Sequence, residues 1–414
     1  MNKNRICILG LGYIGLPTAG MFAVNGVPVL GVDTKKEIVE EIRKGGVHIM
    51  EPGLRTVISA AVSSGNLTVS TEAAPAEVFV IAVPTPLTEE KRADLSYLFD
   101  AASMVMPHLK KGDMVIVEST IPPGTIQEGL IPLLEQGGLK VNADFDIVHC
   151  PERVIPGKIL FELVENDRII GGSSPEAAAR AEKLYRTFVR GSIFLTDLVT
   201  AEMVKLIENS YRDVNIAFAN ELSLTCRHLG VDPWEAITLA NRHPRVKILE
   251  PGPGVGGHCI AVDPWFIVEK APQQSKLIQA ARSINDSMPH VIVERISASV
   301  PAGAAITLLG LTYKADVDDI RESPSITIAA LLKERGFAVR AVDPYVTGYN
   351  GISVMTLEEG LKESSLILVL VAHSGFRSLK PQQAAALMTD RRVMDIKRIF
   401  DRALWEAEGF SFLE

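Results

Sequence analysis

The stretch Arg5-Ile6-Cys7-Ile8-Leu9-Gly10-Leu11-Gly12-Tyr13-Ile14-Gly15 decides the fold of the first part of the chain. An apolar strand, Arg5 to Leu9, runs directly into a Gly-x-Gly-x-x-Gly turn, and Leu16 to Val24 continues as a helix. A second strand, Pro28 to Val32, then ends in Asp33. The glycine pattern alone would be weak, but between a strand and a helix it predicts a dinucleotide-binding fold.

The three glycines of this turn have separate tasks. Gly10 permits a tight turn, Gly12 lets a pyrophosphate approach the backbone, and Gly15 allows the helix to pack closely on the sheet. Unpaired N–H groups and the positive end of the helix dipole attract the phosphates. We therefore predict that a dinucleotide is held by Gly10, Gly12, Tyr13, Ile14, Gly15 and Asp33.

Asp33 bears on the choice of cofactor. Its carboxylate, at the tip of the second strand, would accept hydrogen bonds from the adenosine ribose, which favours NAD over NADP. Lys35 and Lys36 follow closely and weaken that preference, because they could face a 2′-phosphate. The prediction is NAD.

Three further apolar segments repeat the rhythm of strands: Val78 to Val83, Met114 to Glu118 and Asp146 to His149. Since apolar strands alternate with helical segments, the sequence predicts an α/β fold with a doubly wound parallel sheet. Ligands of such sheets lie at the carboxyl ends of the strands. Four polar candidates fall there: Thr85, Thr120, Glu152 and Arg153. For the two threonines a capping or turn role is nearly as well supported.

The centre of the chain is a long helix, predicted over Thr200 to Gly230 from apolar residues at helical spacing. Lys205, Asn209 and Arg212 follow one another at i, i+4 and i+7, which places them on one face of it. A polar stripe is usually the solvated side of a helix. The apolar neighbours and the glycine-rich loop that follows make a role facing a site an equally good interpretation.

That loop, Gly252-Pro253-Gly254-Val255-Gly256-Gly257-His258-Cys259, delivers one cysteine to the end of a glycine-rich turn. Glycines let the backbone come close to a ligand. A thiol beside free backbone N–H groups is the arrangement that a nucleophile with an oxyanion cradle needs. The alternative is an inert buried cysteine behind a tight turn. His258 could lower the pKa of the thiol as an imidazolium, or only contact a substrate.

A second, smaller α/β domain is predicted after the loop, because the strand rhythm starts again. Its predicted elements are strands at Ala305 to Leu309, Ala338 to Val342 and Leu366 to Val371, and a helix at Ser325 to Arg335. This domain lacks the complete glycine fingerprint, so it could hold a second nucleotide or cap a substrate. The charged run from Lys314 to Pro324 is either a solvated loop or a basic site for phosphates.

Composition limits the possible functions. A length of 414 residues predicts two or three domains, and 47% hydrophobic with 22% charged residues is typical of a soluble globular enzyme. The net charge of −8 argues against nucleic acid as a partner. Four cysteines without paired spacing indicate neither a disulfide framework nor a metal site. Met1 to Arg5 lead straight into a strand and no apolar run reaches the ~18 residues of a membrane span, so we expect a reduced, cytoplasmic compartment.

Taken together, the segments resemble the UDP-glucose/GDP-mannose dehydrogenase family, whose members include UDP-sugar 6-dehydrogenases. The matching segments span nearly the whole chain: GLGYIG, ESTIPPGT, CPERVIPG, TAEMVKLIENSYRDVNIAFANE, PGPGVGGHC and LTYKADVDDIRESP. The resemblance implies two Rossmann-like doubly wound domains joined by a long central helix. The implied division of the chain is a NAD-binding domain over 1–196, a central helical dimerisation domain over 197–300 and a UDP-sugar-binding domain over 301–414.

The resemblance also implies the reaction, in which NAD oxidises C6 of a UDP-sugar twice, from alcohol to carboxylate. The Cys259 thiolate would capture the intermediate aldehyde as a thiohemiacetal, a second oxidation would give a thioester, and water would release the acid. The segments ENSYRDVNIAFANELS, NRHPR and GGHCIAVDPWF favour UDP-N-acetyl-D-mannosamine as the substrate. A homodimer or higher homo-oligomer is expected.

Roles for individual residues are implied in the same way. The catalytic set is Cys259, Lys205, Asn209, Asp286, Thr120 and Glu152. The contacts with the sugar nucleotide are Arg153, Val154, Lys205, Asn209, Arg212, His243, Arg245, Gly254, Tyr313 and Lys314. Thr85, Thr120 and Arg321 join the glycine turn on the cofactor side.

One position departs from the family pattern. UDP-glucose enzymes carry a second glutamate four residues after the first, where this chain has Pro156, which speaks against glucose as the sugar. UDP-N-acetylglucosamine and UDP-glucose stay open as substrates, because pocket shape distinguishes such sugars. A one-step hydroxyacid dehydrogenase of the 6-phosphogluconate type would leave the cysteine loop unused, and a non-catalytic dinucleotide sensor would leave the whole set of polar residues unused.

Overall fold

The computed structural model describes residues 4–349 and 351–413, and the chain divides into two compact units. The first unit comprises Met1–Glu208 and Trp265–Pro272, and the second comprises Asn209–Pro264 and Gln273–Glu414. The predicted run from Met1 to Arg5 lies partly outside the described residues, since description begins at Asn4. None of the helices in the described ranges combines the length and apolar character that crossing a bilayer needs.

The first unit is built on an eight-stranded sheet with the order β3-β2-β1-β4-β5-β6-β7-β8. Its strands are β1 (Asn4–Leu9), β2 (Val29–Val32), β3 (Leu67–Ser70), β4 (Ala76–Ile81), β5 (Met114–Val117), β6 (Asp146–His149), β7 (Arg168–Gly172) and β8 (Ile193–Asp197). Neighbours are parallel except for β6 and β7, which are antiparallel. The first six strands have the order of dinucleotide-binding folds.

Helices cover both faces of this sheet, so its central strands are apolar on both sides. The helices are α1 (Gly15–Val24), α2 (Lys36–Arg43), α3 (Leu54–Ser63), α4 (Ser96–Val105), α5 (Ile131–Glu135), α6 (Ile159–Glu165) and α7 (Pro175–Tyr185). A 3-10 segment, Met106–His108, and a π-helical segment, Ile126–Leu130, interrupt the series. Alternate residues of β1 enter the two layers: Ile6 and Ile8 pack in the layer of α1, and Cys7 and Leu9 pack in the layer of α4.

A single helix of 31 residues, α8 (Leu198–His228), begins in the first unit and ends in the second. It confirms the predicted long central helix, shifted by two residues toward the N-terminus. Its end is fixed by Gly230 in the left-handed region at φ +71. The N–H of Gly230 donates to Arg227 O, and that of Val231 donates to Cys226 O, which is the Schellman pattern of helix ends.

The second unit contains a five-stranded parallel sheet with the order β10-β9-β13-β14-β15. Its strands are β9 (Ala305–Leu309), β10 (Ala338–Val342), β13 (Leu366–Val369), β14 (Arg392–Asp395) and β15 (Ser411–Phe412). Between β10 and β13 in the chain, β11 (Gly348–Tyr349) and β12 (Ile352–Ser353) form a separate hairpin. Counted along the chain, this is the 2-1-3-4-5 order of the other common doubly wound fold. Two doubly wound α/β sheets are therefore confirmed.

The remaining helices complete the chain. They are α9 (Pro233–Ala240), α10 (Asp263–Lys270), α11 (Lys276–Ser299), α12 (Pro324–Glu334), α13 (Leu357–Leu361), α14 (Pro381–Leu387) and α15 (Arg402–Ala407), with a 3-10 segment at Ser374–Ser378.

Two strands end two residues earlier than the sequence predicts. The strand expected to reach Val83 ends at Ile81, because the hydroxyl of Ser119 takes over both backbone groups of Val83 at 2.9 and 2.8 Å. The strand expected to reach Val371 ends at Val369, since the N–H groups of residues 370 and 371 both donate to the carbonyl of Leu309. In each case the chain turns away at the carboxyl end of the sheet, where ligands bind.

Candidate active site

The turn after β1 is shaped as the sequence predicts. Gly10 has φ +91, and a Cβ there would lie 2.5 Å from the carbonyl oxygen of Ala82 on the adjacent chain segment. A Cβ at Gly15 would lie 1.9 Å from the carbonyl oxygen of Gly10. Around Gly12, by contrast, open space remains: no atom of the described residues beyond its chain neighbours lies within 4 Å of the Cβ position. The turn is tight at both ends and open in the middle, which fits a pyrophosphate approaching the backbone.

Asp33 stands beside this turn. Its Oδ2 accepts the N–H of Leu11 at 3.1 Å and its Oδ1 accepts the N–H of Lys35 at 3.0 Å. The side chain is half-buried, and each carboxylate oxygen has a second lone pair for a ligand. Lys35 and Lys36 are exposed. The carboxylate is therefore oriented by the protein and accessible, as a ribose partner must be.

Thr85 and Thr120, which follow β4 and β5, are brought together. The hydroxyl of Thr85 donates to the carbonyl oxygen of Thr120 at 2.6 Å, and both side chains are half-buried. The loop after Thr120 is held by Glu202 of α8, whose carboxylate accepts the N–H groups of Gly124 at 2.5 Å and Ile126 at 3.1 Å. Burial raises the pKa of Glu202 to about 7. Sequence reasoning missed Glu202, because nothing in its helix marks a partner 76 or 78 residues away.

Glu152, after β6, is buried and paired with a cation that the sequence does not single out. Its Oε2 lies 2.7 Å from Nη2 of Arg168, and both side chains are less than a tenth exposed. The Arg168 guanidinium also lies 4.6 Å from the ring centroid of Tyr185. The hydroxyl of Tyr185 donates to the buried Glu118 at 2.6 Å. The ion pair with Arg168 thus holds the carboxylate of Glu152 in one orientation.

The two residues after Glu152 differ in their surroundings. The guanidinium of Arg153 is engaged within the first unit, by Glu208 Oε1 at 2.5 Å and by the carbonyl of Asp167. Val154 packs against the core. The guanidinium that the sequence assigns to the substrate is therefore already bonded to Glu208 and to the carbonyl of Asp167.

Lys205 lies on α8, one turn from Glu202 on one side and one turn from Asn209 on the other. Its side chain is 9% exposed. Arg212, two turns along, is exposed, and so are His243 and Arg245 in the turn after α9. The backbone N–H of Arg245 donates to Nδ1 of His243 at 3.3 Å.

The glycines of the cysteine loop are required by a close approach within the second unit. A Cβ at Gly256 would lie 2.7 Å from Cβ of Tyr313 and 2.7 Å from the carbonyl oxygen of Glu322. Gly257, at φ +82, donates its N–H to the carbonyl of Arg321 at 3.0 Å. Gly254 is at φ +126. The predicted residues Gly254, Tyr313 and Arg321 and the Cys259 loop are therefore brought together.

In the charged run from Lys314 to Pro324, the side chain of Lys314 is exposed. Arg321 is exposed as well, and its guanidinium binds Asp319 at 2.9 and 2.6 Å.

Cys259 itself is half-buried, and the turn that follows it ends in Asp263. The carbonyl of Cys259 accepts the N–H of Asp263 at 2.8 Å. The carboxylate of Asp263, only 3% exposed, accepts the amide of Asn209 at 2.5 Å. Asn209 is thus tied to the cysteine turn through Asp263. Sequence reasoning missed Asp263, although a carboxylate one turn after the cysteine at the start of a helix was a usable signal.

Asp286 has a different partner. Its carboxylate is bonded by Arg282 of the same helix, and its side chain is 43% exposed. Arg282 also pairs with the buried Asp213 of α8 at 2.6 Å. The assignment of Asp286 to the proton relay stays a prediction.

Comparison with known proteins decides the family. Residues 4–189 match the NAD binding domain of the UDP-glucose/GDP-mannose dehydrogenase family, residues 199–287 match its central domain, and residues 307–402 match its UDP binding domain. The chain belongs to the UDP-glucose/GDP-mannose dehydrogenase family. The predicted family and NAD as the cofactor are confirmed, and the chain is an NAD-dependent nucleotide-sugar dehydrogenase.

Individual relatives in this family cover almost the whole chain. UDP-N-acetyl-D-mannosamine dehydrogenase of Methanocaldococcus jannaschii is 46% identical over 99% of this chain and 95% of its own length. NDP-N-acetyl-D-galactosaminuronic acid dehydrogenase of Ralstonia solanacearum is 45% identical over 99% and 98%. Among solved structures, UDP-D-ManNAc dehydrogenase of Pyrococcus horikoshii superposes with a TM-score of 0.92 at 43% identity, covering 99% of this chain and 98% of its own.

Proposed function

We propose that this enzyme oxidises C6 of UDP-N-acetyl-D-mannosamine twice, giving UDP-N-acetyl-D-mannosaminuronate. The observation that carries the proposal is the position of the Cys259 loop. It packs on Tyr313 and Arg321 of the domain that matches the family's UDP-binding domain, and its turn is bonded to Asn209 through Asp263. Relatives named for UDP-N-acetyl-D-mannosamine support the choice of sugar.

In the proposed chemistry, two oxidations and one hydrolysis convert the C6 alcohol to the carboxylate. The C6 alcohol loses a hydride and a proton to give the aldehyde, and the Cys259 thiolate adds to the aldehyde carbon. The thiohemiacetal loses a second hydride to become a thioester, and water displaces the thiol to give the carboxylate. Bound NAD supplies the hydride acceptor for each oxidation. Alcohol, two NAD⁺ and one water give carboxylate, two NADH and three protons.

The chain's own groups divide this work. Lys205 and Asn209 would stabilise the oxyanion that forms at C6, and Asp263 holds the Asn209 amide in one orientation. Thr120 and Glu152 would hold the hydrolytic water, with Glu152 kept in place by Arg168. Asp286 is proposed for proton transfer.

Binding groups follow the proposed division into a NAD domain over 1–196, a central domain over 197–300 and a UDP-sugar domain over 301–414, which the three family matches support. Thr85, Thr120 and Arg321 join the glycine turn at the cofactor. The sugar nucleotide is assigned to Arg153, Val154, Arg212, His243, Arg245, Gly254, Tyr313 and Lys314, together with Lys205 and Asn209.

The enzyme is proposed to work as a cytoplasmic homodimer or higher homo-oligomer that pairs through α8. Tyr211 is 70% exposed and Phe218 is 50% exposed, and the seven-residue spacing places both on one face of the helix. Exposed aromatic residues in a row are typical of an interface between subunits. Sedimentation of Tyr211→Glu and Phe218→Glu variants should show monomers, and unchanged assembly would contradict this part of the proposal.

The test is the number of NADH formed per sugar consumed, measured with NAD and UDP-sugars that carry N-acetylmannosamine, N-acetylgalactosamine, N-acetylglucosamine or glucose. About two NADH with the mannosamine sugar and little turnover of the others is the expected result. Preference for the galactosamine sugar would transfer the proposal to the function named for the Ralstonia relatives. One NADH per sugar would mean that the cysteine step does not operate, and no turnover would favour a sensor.

A further inference from the structure

A chain of buried polar side chains joins α8 and α11 of the second unit to the start of the cysteine loop. Its members are Asp213 and Asn220 of α8 and Arg282 and Asn285 of α11, each no more than 1% exposed. Burying a polar group costs free energy unless it is hydrogen-bonded, so a buried polar cluster of this size is expected to serve the structure or the function. None of these four belongs to the predicted site.

The hydrogen bonds from the loop are all donated in one direction, toward a carboxylate. Oδ1 of Asp213 accepts from Nη1 of Arg282 at 2.6 Å and from the amide of Asn285 at 2.8 Å. Oδ1 of Asn285 accepts from the amide of Asn220 at 2.9 Å. Oδ1 of Asn220 accepts the backbone N–H of Gly252 at 2.8 Å.

Both amides can be oriented in only one way in this chain. A backbone N–H can only donate, so Gly252 requires the oxygen of Asn220, and the NH₂ of Asn220 then requires the oxygen of Asn285. The NH₂ of Asn285 is left facing Asp213, which accepts. The backbone N–H of Gly252 at one end and the carboxylate of Asp213 at the other therefore fix the orientation of both amides.

The other end of the loop is tied to the same helix. Asn209 of α8 bonds Asp263, whose N–H donates to the carbonyl of Cys259. Between the two ties, the loop passes against α11, since a Cβ at Gly254 would lie 3.0 Å from the carbonyl oxygen of Asn285. Side chains of α8 thus fix the segment that carries the thiol at its beginning and at its end.

We infer that Asn220, oriented by Asn285 and Asp213, is a positioning residue that sets the start of the Gly252–Cys259 loop so that the thiol captures the C6 aldehyde. This inference rests on the proposed function. Without the bond from Asn220, the glycine-rich loop has a free first residue, and the thiol spends less time within reach of the aldehyde carbon. The aldehyde then leaves before the second oxidation.

The test is Asn220→Ala, measured by NADH per sugar and by aldehyde trapped with hydroxylamine. We expect NADH per sugar to fall from about two toward one, with trapped aldehyde making up the difference. The rate of acid formation should fall roughly tenfold to a hundredfold, as small misplacements of reacting groups do. The KM for the sugar nucleotide should change less than the rate of acid formation, because Gly254 is the one member of the proposed binding set that lies in this loop.

The matched control is Asn66→Ala. Asn66 also makes a long-range bond to the backbone, in which its amide donates to the carbonyl of Ala23 at 3.1 Å. It precedes β3 and so lies at the amino end of the first sheet, opposite the edge where ligands bind. This variant should keep two NADH per sugar whatever its thermal stability.

Asn220→Asp separates positioning from stability. Aspartate keeps the oxygen that accepts from Gly252, loses the donor to Asn285 and places a carboxylate in a buried site, which lowers stability. We expect a lower melting temperature than in the wild type but NADH per sugar closer to two than in Asn220→Ala. Should the alanine variant not fold, Asn220→Ser serves in its place, since its hydroxyl is one bond too short to reach Gly252.

The outcomes distinguish failure of this inference from failure of the proposed function. If the wild type gives two NADH and Asn220→Ala also gives two, the inference is wrong and the proposed function stands. The inference is equally wrong if Asn66→Ala leaks aldehyde, or if the alanine and aspartate variants lose acid formation in proportion to their melting temperatures. If the wild type itself gives one NADH or none, the proposed function fails first.

Discussion

In both sheets of this enzyme the turn after the first strand has the same backbone pattern, but its surroundings differ. Each first strand runs into a Gly-Leu pair, with φ +91 at Gly10 and +98 at Gly310. Each second strand is followed by an aspartate that accepts the leucine N–H: Leu11 to Asp33 at 3.1 Å and Leu311 to Asp343 at 2.7 Å. The backbone conformation of the turn is therefore not what distinguishes a dinucleotide site.

The difference lies in what occupies the space beside the turn. The third residue is Gly12 in the first sheet, with open space around it, and the buried Thr312 in the second. Asp343 is closed off by His373, whose Nε2 lies 3.1 Å from its Oδ2 and 3.2 Å from Oγ1 of Thr312. The polar groups of the second turn are satisfied internally, so a ligand of that domain is left to residues beyond the turn, such as Tyr313 and Lys314.

The largest expected effect is on stability, from Asp343→Ala. This change strips a buried histidine and two backbone N–H groups of their common acceptor, which should lower the free energy of unfolding by about 3 kcal/mol. Affinity for NAD, titrated by protein fluorescence, should stay within twofold. A loss of NAD affinity as large as that caused by changing Asp33 would contradict the comparison.

Glu118, which follows β5, and Asp343, which follows β10, should contribute oppositely to the pH dependence of unfolding. Burial, opposed by Arg168, raises the pKa of Glu118 in the first sheet to about 7, so folding favours its protonated form. Its contribution is therefore present at acidic pH and is lost as pH rises from about 4.5 to 7, by up to about 3 kcal/mol. Glu118→Gln should flatten this part of the unfolding profile, and an unchanged profile would contradict the assignment.

Asp343 should act in the opposite sense. Burial works to raise its pKa, but hydrogen bonds from His373 and from backbone N–H groups outweigh that effect and hold the pKa below its ordinary value. Its contribution is present at neutral pH and is lost as pH falls below about 4. Thermal unfolding of Asp343→Asn and of the wild type should therefore converge on acidification; a constant difference would show that the carboxylate charge is irrelevant.

Asp33→Ala should affect the ligand more than the fold. Loss of a charged acceptor for the ribose is expected to raise the KM for NAD roughly 10- to 100-fold, equivalent to about 1.5–3 kcal/mol. Since Asp33 is half-buried and its carboxylate accepts two backbone N–H groups, the free energy of unfolding should change by about 1 kcal/mol. An unaltered KM for NAD would mean that the first turn does not use its open carboxylate.

Gly12→Ala is the smallest and cleanest change. The Cβ enters open space and the backbone is not left-handed, so the melting temperature should be unchanged within error. NAD should bind about tenfold more weakly, because the methyl group occupies the approach of the pyrophosphate. Calorimetric titration with NAD decides this, and wild-type affinity would contradict the account of the turn.

Local pattern was enough for much of the architecture. Strand, glycine turn and helix around Gly10, the apolar strands and the long helix ending near Gly230 were all predictable, since each depends on residues close in sequence. The antiparallel step between β6 and β7 was not, because nothing local marks strand direction.

The supporting residues of the site were missed for a related reason. Arg168 acts on Glu152, Glu202 on the loop after Thr120, and Asn220 on Gly252, over separations that no spacing rule reaches. Buried polar residues in a helix look like ordinary core positions until their partners are known. Asp263 is the exception, because it lies one turn from the cysteine.

The central claim is that Cys259 carries the second oxidation, and the most direct measurement is acid formation by Cys259→Ser. With NAD and UDP-N-acetyl-D-mannosamine, the wild type should form one acid and about two NADH per sugar. The serine variant should lose net formation of the acid by on the order of 10³-fold or more, because its hydroxyl is a far weaker nucleophile. Two NADH and one acid per sugar from the serine variant at the wild-type rate would contradict the account.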